Sequence, residues 1–261
     1  MGGKRVSAVV EFKNTSLYYG RGRILKGVDL AFDKNKVTCV IGPSGSGKST
    51  MLRTINRMND LIPDFHFTGE VLFNNKDIYG KGVPVHRLRQ DIGMVFQKPC
   101  IFPGSIHDNV LFGVRHLGSK KKSDFPFIVE ETLKSVSLWK EVKEKLRRPA
   151  LELSEGQQQR LSIARALAVN PKVLLMDEPT SSLDHKSSEA VEELVRRLKS
   201  SLTIIMVTHK LEQAKKVADD VVFICEGVVC ESGRAEKFFK EPRESTTRSY
   251  INHDSYRETI C

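Results

Sequence analysis

The sequence predicts an α/β fold with a parallel sheet core, an antiparallel β subdomain beside it and a helical insert within it. Short, uninterrupted apolar runs are typical of buried parallel strands, and helical patterns separate several of them. These runs cover residues 37–41, 92–96, 172–176 and 203–208. Residues 105–153 instead carry apolar side chains at helical spacing with no strand signal between them, which indicates the insert.

The first part of the chain predicts the antiparallel sheet. Residues 9–17 alternate loosely, residues 24–32 form a second strand-like segment, and a polar turn follows at 33–36. Residues 69–78 then indicate a strand, an Asn-Asn turn and a short second strand. We expect these strands to pack beside the parallel core.

The second half of the chain alternates helices with strands. A helix is predicted over 158–169, preceded by Ser154 and Gln157 at the spacing of a capping box. Further helices are predicted over 188–200 and 211–218, and a hairpin turns at Glu226-Gly227. The tail from Pro242 is polar, and we expect it to be loosely held.

Length and charge limit the possible classes of protein. A chain of 261 residues can form one large α/β domain with an insert, and no apolar run approaches the length of a membrane span. The net charge of +10 allows contact with nucleic acid or an anionic membrane. However, the basic residues are spread out, with local clusters only at 120–122 and 143–148. We therefore interpret the charge as a solvated basic surface.

The strongest functional signal lies between a predicted strand and a predicted helix. Residues 42–49 fit the pattern G-x-x-x-x-G-K-[ST], in which glycines turn backbone N–H groups around a phosphate. The positive end of the following helix also attracts phosphate. Lys48 supplies a positive charge for the β- and γ-phosphates, and the Ser49 hydroxyl is a suitable ligand for Mg²⁺. The sequence thus predicts a P-loop NTPase. Its nucleotide-binding residues are Gly42, Pro43, Ser44, Gly45, Ser46, Gly47, Lys48, Ser49 and Thr50.

Polar residues follow the apolar strands at the edge of the sheet where ligands bind, namely Lys48, Gln97, Asp177 and His209. Asp177 is placed to hold Mg²⁺, directly or through water, and Gln97 is a candidate for holding water or Mg²⁺. Glu178 is placed to orient or deprotonate an attacking water, and His209 could sense the γ-phosphate. A lone Asp-Glu pair is better explained as a solvated strand end, a lone histidine as structural and a lone glutamine as any loop residue, so only the convergence of four strand ends favours a site.

The order of these motifs resembles that of the ATP-binding-cassette (ABC) ATPases, over nearly the whole chain. The matching segments are the Walker A loop at 42–50, the Q-loop at Gln97, the signature motif at 153–157, Walker B at 177–178, the D-loop at 181–184 and the H-loop at His209. The resemblance implies ATP and Mg²⁺ as cofactors. It implies catalytic roles for Lys48, Gln97, Glu178 and His209, and metal binding by Ser49, Gln97 and Asp177.

The same resemblance implies a homodimer in which each ATP lies between two subunits. Tyr19 resembles the aromatic residue that stacks on adenine, although strand packing is an equally good explanation from spacing alone. Residues of the signature motif and D-loop would complete the site of the opposite subunit; they are Ser154, Gly156, Gln157 and Asp184. A helix N-terminus with a serine hydroxyl suits a γ-phosphate.

The ABC resemblance also implies a single nucleotide-binding domain. Residues 1–97 and 154–240 would form the RecA-like core with the antiparallel β subdomain, residues 98–153 the helical subdomain, and residues 241–261 a C-terminal tail.

Finer features resemble the ATPase subunits of phosphate importers. They lie at 56–63, 93–99, 102–110 and 156–161. They imply an ATP-hydrolysing subunit that powers phosphate import by ATP-driven dimer closure, on the cytoplasmic side of the membrane and without inserting into it. Its partners would be two transmembrane permease subunits, contacted by the helical insert and the region of Gln97, and an external phosphate-binding protein.

Three alternatives remain open at this point. The ATPase of another importer, for amino acids or metal, would use the same motifs. A soluble ABC ATPase acting on DNA or ribosomes is less favoured, because the chain has no long coiled coil and no second cassette. A small-molecule kinase would have no use for residues 153–157 or for the helical insert.

One residue departs from the family pattern, because Glu155 replaces the usual glycine of the signature motif. A carboxylate in a first helical turn favours the helix, by about 0.5 kcal/mol, but would repel a γ-phosphate that it faced. We expect Glu155 to point away, so that Glu155→Gly changes the ATPase rate little. A rise of more than about tenfold, equivalent to about 1.4 kcal/mol of barrier, would contradict this expectation.

Overall fold

Two β-sheets organise the fold in a computed structural model that describes residues 8–118 and 120–252. The strands of the smaller sheet are β1 (Ala8–Tyr19), β2 (Gly22–Asp33), β4 (Phe65–Phe73) and β5 (Lys76–Asp77). They pair antiparallel in the order β2-β1-β4-β5. The antiparallel sheet predicted for the first part of the chain is confirmed, and β4 begins four residues earlier than expected.

The larger sheet contains the predicted parallel strands. Its members are β3 (Val37–Ile41), β6 (Ile92–Val95), β7 (Val173–Asp177), β8 (Thr203–Val207), β9 (Asp220–Cys225) and β10 (Val228–Arg234). The order is β10-β9-β3-β8-β7-β6, and all neighbours are parallel except the β9–β10 hairpin. The carboxyl ends of β3, β6, β7 and β8 therefore meet at one edge of the sheet, as the sequence predicts.

Alternation along the central strands divides their side chains between two hydrophobic cores. In β7, Leu174 and Met176 belong to one core, and Val173 and Leu175 belong to the other. The first core includes residues of the helical insert, and the second includes residues of the antiparallel sheet. Both faces of the central strands are thus covered, which explains why these strands carry uninterrupted apolar runs.

The helices lie between and beside these strands. They are α1 (Lys48–Ile55), α2 (Val85–Asp91), α3 (Ile106–Leu117), α4 (Phe125–Ser135), α5 (Trp139–Val142), α6 (Glu155–Leu167), α7 (His185–Leu198), α8 (Leu211–Val217), α9 (Ala235–Lys240) and α10 (Ser245–Asn252). Helices α3 to α5 form the predicted insert between β6 and α6, so the predicted fold class is confirmed. Within the described ranges, no helix combines the length and apolar character of a membrane span.

Helices α6 and α7 begin three residues earlier than the sequence predicts. The Ser154 side chain accepts the N–H of Gln157 while the Gln157 side chain accepts the N–H of Ser154, so the capping box is confirmed. In α7, Asp184 is the N-cap and its Oδ1 accepts the N–H of Ser187 at 3.0 Å. Side chains that satisfy the free N–H groups of the first turn set both helix starts.

The expectation of a loosely held tail is wrong for the part of the tail that the structure describes. Residues 245–252 form α10, and the Tyr250 side chain is buried with its ring stacked 4.8 Å from that of Phe223. Polar residues dominate this helix, so its composition hid the one aromatic side chain that fixes it to the core. Residues 253–261 of the predicted tail lie outside the described residues.

We expect Tyr250→Ala to lower the free energy of unfolding by about 3 kcal/mol, because it removes a large buried side chain. Denaturant unfolding of the purified chain measures this. Tyr250→Phe keeps the ring and should stay within about 1.5 kcal/mol of the parent chain. Equal stability of the alanine variant and the parent chain would show that α10 is not part of the cooperative core.

Candidate nucleotide site

The loop between β3 and α1 is shaped so that its backbone surrounds a small space. Gly42 has a φ of 146°, and a Cβ added there would lie 1.9 Å from the Ile224 carbonyl oxygen, so only glycine fits. The Ser46 hydroxyl is buried and has no hydrogen-bond partner among the described residues. A buried polar group without a partner is unfavourable, so the loop fits a ligand that offers it an oxygen.

Lys48 crosses the mouth of this loop. Its Nζ donates to the Gly42 carbonyl at 2.8 Å and to the Pro43 carbonyl at 2.6 Å, and the side chain is buried. Burial lowers the pKa of the Lys48 amine, and the nearby carboxylates of Glu178 and Asp177 oppose that shift. The ammonium is thus held at the loop by backbone oxygens, where a phosphate would lie within its reach.

Asp177 joins strand β7 to helix α1. The Ser49 hydroxyl donates to its Oδ1 at 2.7 Å, and Arg53 Nη2 donates to its Oδ2 at 3.0 Å. Asp177 is only 3% exposed, so these two donors compensate a buried carboxylate. Ser49 and Asp177, the two predicted metal-binding residues that lie together, offer adjacent hard oxygens of the kind that Mg²⁺ prefers.

Glu178 has a strained backbone and a paired side chain. Its φ of 46° is rare for a residue other than glycine, and its N–H donates to the Val207 carbonyl at 3.0 Å. His209 Nδ1 lies 2.9 Å from Glu178 Oε2. This contact, with smaller contributions from Lys48 and Lys210, holds the pKa of Glu178 below its usual range.

Gln97 lies at the same edge of the sheet but outside this contact network. In the parallel register Val95 pairs with Met176, so Gln97 follows β6 beside the end of β7. It is exposed and forms no hydrogen bond with Ser49, Asp177 or any other described residue. The preceding Phe96 carbonyl accepts a hydrogen bond from the buried Gln159 of α6 at 3.1 Å.

Tyr19 ends β1 and is tied to the helix that follows the phosphate loop. Its hydroxyl donates to Asn59 Oδ1 at 3.3 Å, and its ring lies 5.7 Å from that of Phe65. Asn59 is fully buried and donates in turn to the Thr50 carbonyl at 2.9 Å and to Thr54 Oγ1 at 2.8 Å. Asn59 therefore fixes the position of Tyr19 relative to α1.

The signature residues form a second group around the first turns of α6 and α7. Gln157 Nε2 donates to Glu141 Oε2 at 2.8 Å. A Cβ added to Gly156 would lie 2.3 Å from Ser187 Oγ, and that hydroxyl donates to Asp184 Oδ2 at 2.7 Å. Ser154, Gly156, Gln157 and Asp184 thus lie together, and no hydrogen bond joins them to the phosphate loop in residues 8–118 and 120–252.

Sequence reasoning missed four residues that hold these groups in place. Arg53 follows Ser49 by four positions on α1, so helical spacing could have suggested it. Asn59 and Gln159 each bond to a residue distant in the sequence, and no local pattern indicated their roles. Ser187 bonds to Asp184 three positions earlier, so the spacing of a helix N-cap could have suggested it.

Comparison with known proteins decides the family. Residues 25–181 match the family model described as "ABC transporter", which is more than half of the chain. The chain belongs to the ABC transporter family. ABC ATPase domains bind nucleotide, and the phosphate loop stays the predicted place for it in this chain.

Individual ABC proteins match the chain over nearly its whole length. It is 48% identical over 244 residues to "Phosphate import ATP-binding protein PstB 1" of Enterococcus faecalis, covering 94% of this chain and 97% of that protein. It is 48% identical over 242 residues to PstB of Bacteroides fragilis, covering 93% and 96%. The solved structure of CbiO1 from Clostridium perfringens, part of the ABC transporter complex CbiONQ, matches with a TM-score of 0.78 and 29% identity, covering 94% of this chain and 95% of that one.

We expect Asn59→Ala to weaken ATP binding about fivefold, because Tyr19 and the start of α1 lose their common anchor; this corresponds to about 1 kcal/mol. Equilibrium ATP binding to the purified chain measures the effect. Asn56→Ala is the matched control, since Asn56 is also buried near the end of α1 but contacts Met94 and Met58. Both variants should lose stability, but only Asn59→Ala should lose ATP affinity. Equal affinity of the two variants would remove Asn59 from this role.

Proposed function

We propose that this chain is the ATP-hydrolysing subunit of a phosphate importer. The observation that carries the proposal is the 48% identity, over almost the full length of both chains, to relatives named as phosphate import ATP-binding proteins. The nucleotide site supports the ATPase part, because its charged groups converge at the phosphate loop. The importer part rests on the relatives alone.

In this proposal Lys48 and the loop N–H groups bind the β- and γ-phosphates of ATP. Ser49 and Asp177 would hold Mg²⁺, and the fit lies in their adjacent oxygens 2.7 Å apart. The metal supplies charge neutralisation for the phosphate oxygens. Arg53 holds the second oxygen of Asp177, so that the first one stays directed at Ser49.

Glu178 acts as the general base for the attacking water. Its carboxylate is ionised at neutral pH and can accept a proton from water, and the pKa held below the usual range makes it a weaker base than an ordinary glutamate. His209 holds this carboxylate at 2.9 Å and provides a polar N–H that can point to the γ-phosphate. Gln97 would complete the set, as water or metal ligand, when the exposed segment after β6 approaches the nucleotide.

The signature group reaches its target in a second subunit. Ser154, Gly156 and Gln157 lie at an exposed helix N-terminus whose partners are Glu141 and Ser187 rather than the phosphate loop. In a homodimer this end of α6 would meet the γ-phosphate held by the opposite chain, with Asp184 beside it. Glu155 is exposed and forms no hydrogen bond or ion pair among the described residues, and that it points away from the γ-phosphate stays a prediction.

The partners proposed are two permease subunits and an external phosphate-binding protein, with this chain on the cytoplasmic side of the membrane. The test is ATP hydrolysis by the chain reconstituted in vesicles with permease subunits and binding protein encoded beside its gene. We expect phosphate to stimulate turnover several-fold above the level without phosphate. Stimulation by an amino acid or a metal ion instead would favour another importer. ATP turnover stimulated by DNA in the chain alone would favour the nucleic-acid alternative.

We expect Glu178→Gln to keep ATP affinity and lose ATP turnover, because the amide cannot accept the proton. With ATP and Mg²⁺ this variant should elute from a sizing column as a dimer, and without ATP as a monomer. The matched control is Glu189→Gln, an exposed glutamate on α7, which should leave turnover unchanged. ATP turnover near the parent rate in Glu178→Gln would exclude Glu178 as the base.

A further inference from the structure

Two basic segments that are separate in the sequence lie along one groove of the helical insert. We call this the basic groove and define it by His107, Lys143, Lys145, Arg147 and Arg148, with Lys120 and Lys122 at its far end. It consists of a hollow of about 610 Å³ and a second of about 760 Å³, and both are lined by His107, Pro126 and Arg147. The sequence alone indicated only two unrelated clusters.

The cations of the basic groove are not neutralised by ion pairs with the described residues, although two glutamates also line it. Lys143, Lys145, Arg147 and Arg148 are exposed, and none of them forms an ion pair with a described residue. The same holds for Lys120 and Lys122 at the far end. Like charges gathered along one groove repel each other, and an anionic occupant would relieve that repulsion.

The segment that carries four of these cations is held rigidly. The Ile106 N–H donates to the Arg148 carbonyl at 3.1 Å, and the His107 N–H donates to the Leu146 carbonyl at 2.9 Å. The Ala150 N–H donates to the Gly104 carbonyl at 2.9 Å. These bonds join residues 146–150 to the start of α3, so the groove exists before any ligand binds and little ordering is needed on binding.

The lining of the groove is mixed, which narrows the class of ligand. Pro126, Val129, Leu146 and Trp139 supply apolar wall, with Trp139 half-buried. Glu130 and Glu144 interrupt the positive charge. A uniform polyanion such as nucleic acid would be repelled at these acids, and a flat membrane surface could not follow a concave wall. A peptide can match cations, apolar patches and acids in turn.

We propose that the basic groove binds an acidic segment of a partner protein whose carboxylates alternate with apolar side chains. The cations are spread along two adjoining hollows instead of converging on one point, so an extended chain fits them better than a single small anion. The proposal does not depend on the transported substrate, because none of the groove residues belongs to the nucleotide site.

The single tryptophan of the chain, Trp139, lines the groove and reports its occupancy. The probe is a synthetic peptide of repeated Asp-Leu-Glu triplets, titrated into the full chain while the emission of Trp139 is followed. We expect a saturable change in emission. A peptide of repeated Lys-Leu-Lys triplets should produce none.

Two double variants locate the site. Lys145→Glu with Arg148→Glu should weaken binding of the acidic peptide at least tenfold, which corresponds to about 1.4 kcal/mol. Lys81→Glu with Arg87→Glu makes the same change of charge at exposed residues outside the groove and should change affinity less than twofold. Basal ATP turnover should be unchanged in both, which separates this proposal from the proposed function.

Three results would overturn the proposal. The first is no change in emission with the acidic peptide, and the second is an equal loss of affinity in both double variants. The third is groove-dependent binding of phosphatidylglycerol vesicles or single-stranded DNA that is tighter than binding of the peptide, which would assign the groove to a different class of partner.

Discussion

The hydrogen bond between Ser49 and Asp177 is the contact on which the arrangement of the nucleotide site depends. It joins the helix after the phosphate loop to the end of a central strand, and it does so through a carboxylate that is almost fully buried. Such a carboxylate must be compensated, so Arg53 on the next turn of α1 takes its other oxygen. The phosphate loop, α1 and β7 are consequently fixed relative to one another. This also fixes Lys48, which begins α1, and Glu178, which follows β7.

The residue after Asp177, Glu178, has a strained backbone that belongs to the same geometry. Glu178 adopts a left-handed backbone conformation that a glutamate rarely takes, and the hydrogen bond of its N–H to the adjacent strand end maintains it. The turn brings the side chain to His209, which keeps the carboxylate ionised. Conformational energy stored in the backbone is thus linked to the placement of the carboxylate that we propose as the base.

Helix α6, which follows the helical insert, is connected to this edge of the sheet by a few contacts. Gln159 of α6 bonds to the carbonyl just before Gln97, and Gly156 at the start of the same helix packs on Ser187 beside Asp184. A movement of α6 would therefore displace both the Phe96 carbonyl, just before Gln97, and Ser187 at the start of α7. The basic groove lies on the insert, whose helices α3 and α4 pack against α6, so a partner bound there would contact the neighbours of the helix that carries the signature residues.

Much of the fold was determined locally and could be predicted. The apolar runs of β3, β7 and β8 are long enough to identify buried strands, and the capping box at Ser154 and Gln157 is a pattern within four residues. The phosphate loop and the polar strand ends could be placed at one site because parallel strands end at the same edge. What the sequence predicted less well was the extent of elements set by capping or burial, such as the start of α7 and all of α10.

By itself, the sequence determined the chemical groups of the site and the edge of the sheet where they meet, because spacing along one strand, loop or helix is local information. Only the tertiary structure decided that Arg53 compensates Asp177, that Asn59 anchors Tyr19, and that two distant basic segments line one groove. These contacts join residues through packing of separate elements. Their partners are chosen by the three-dimensional path of the chain, which no local pattern records.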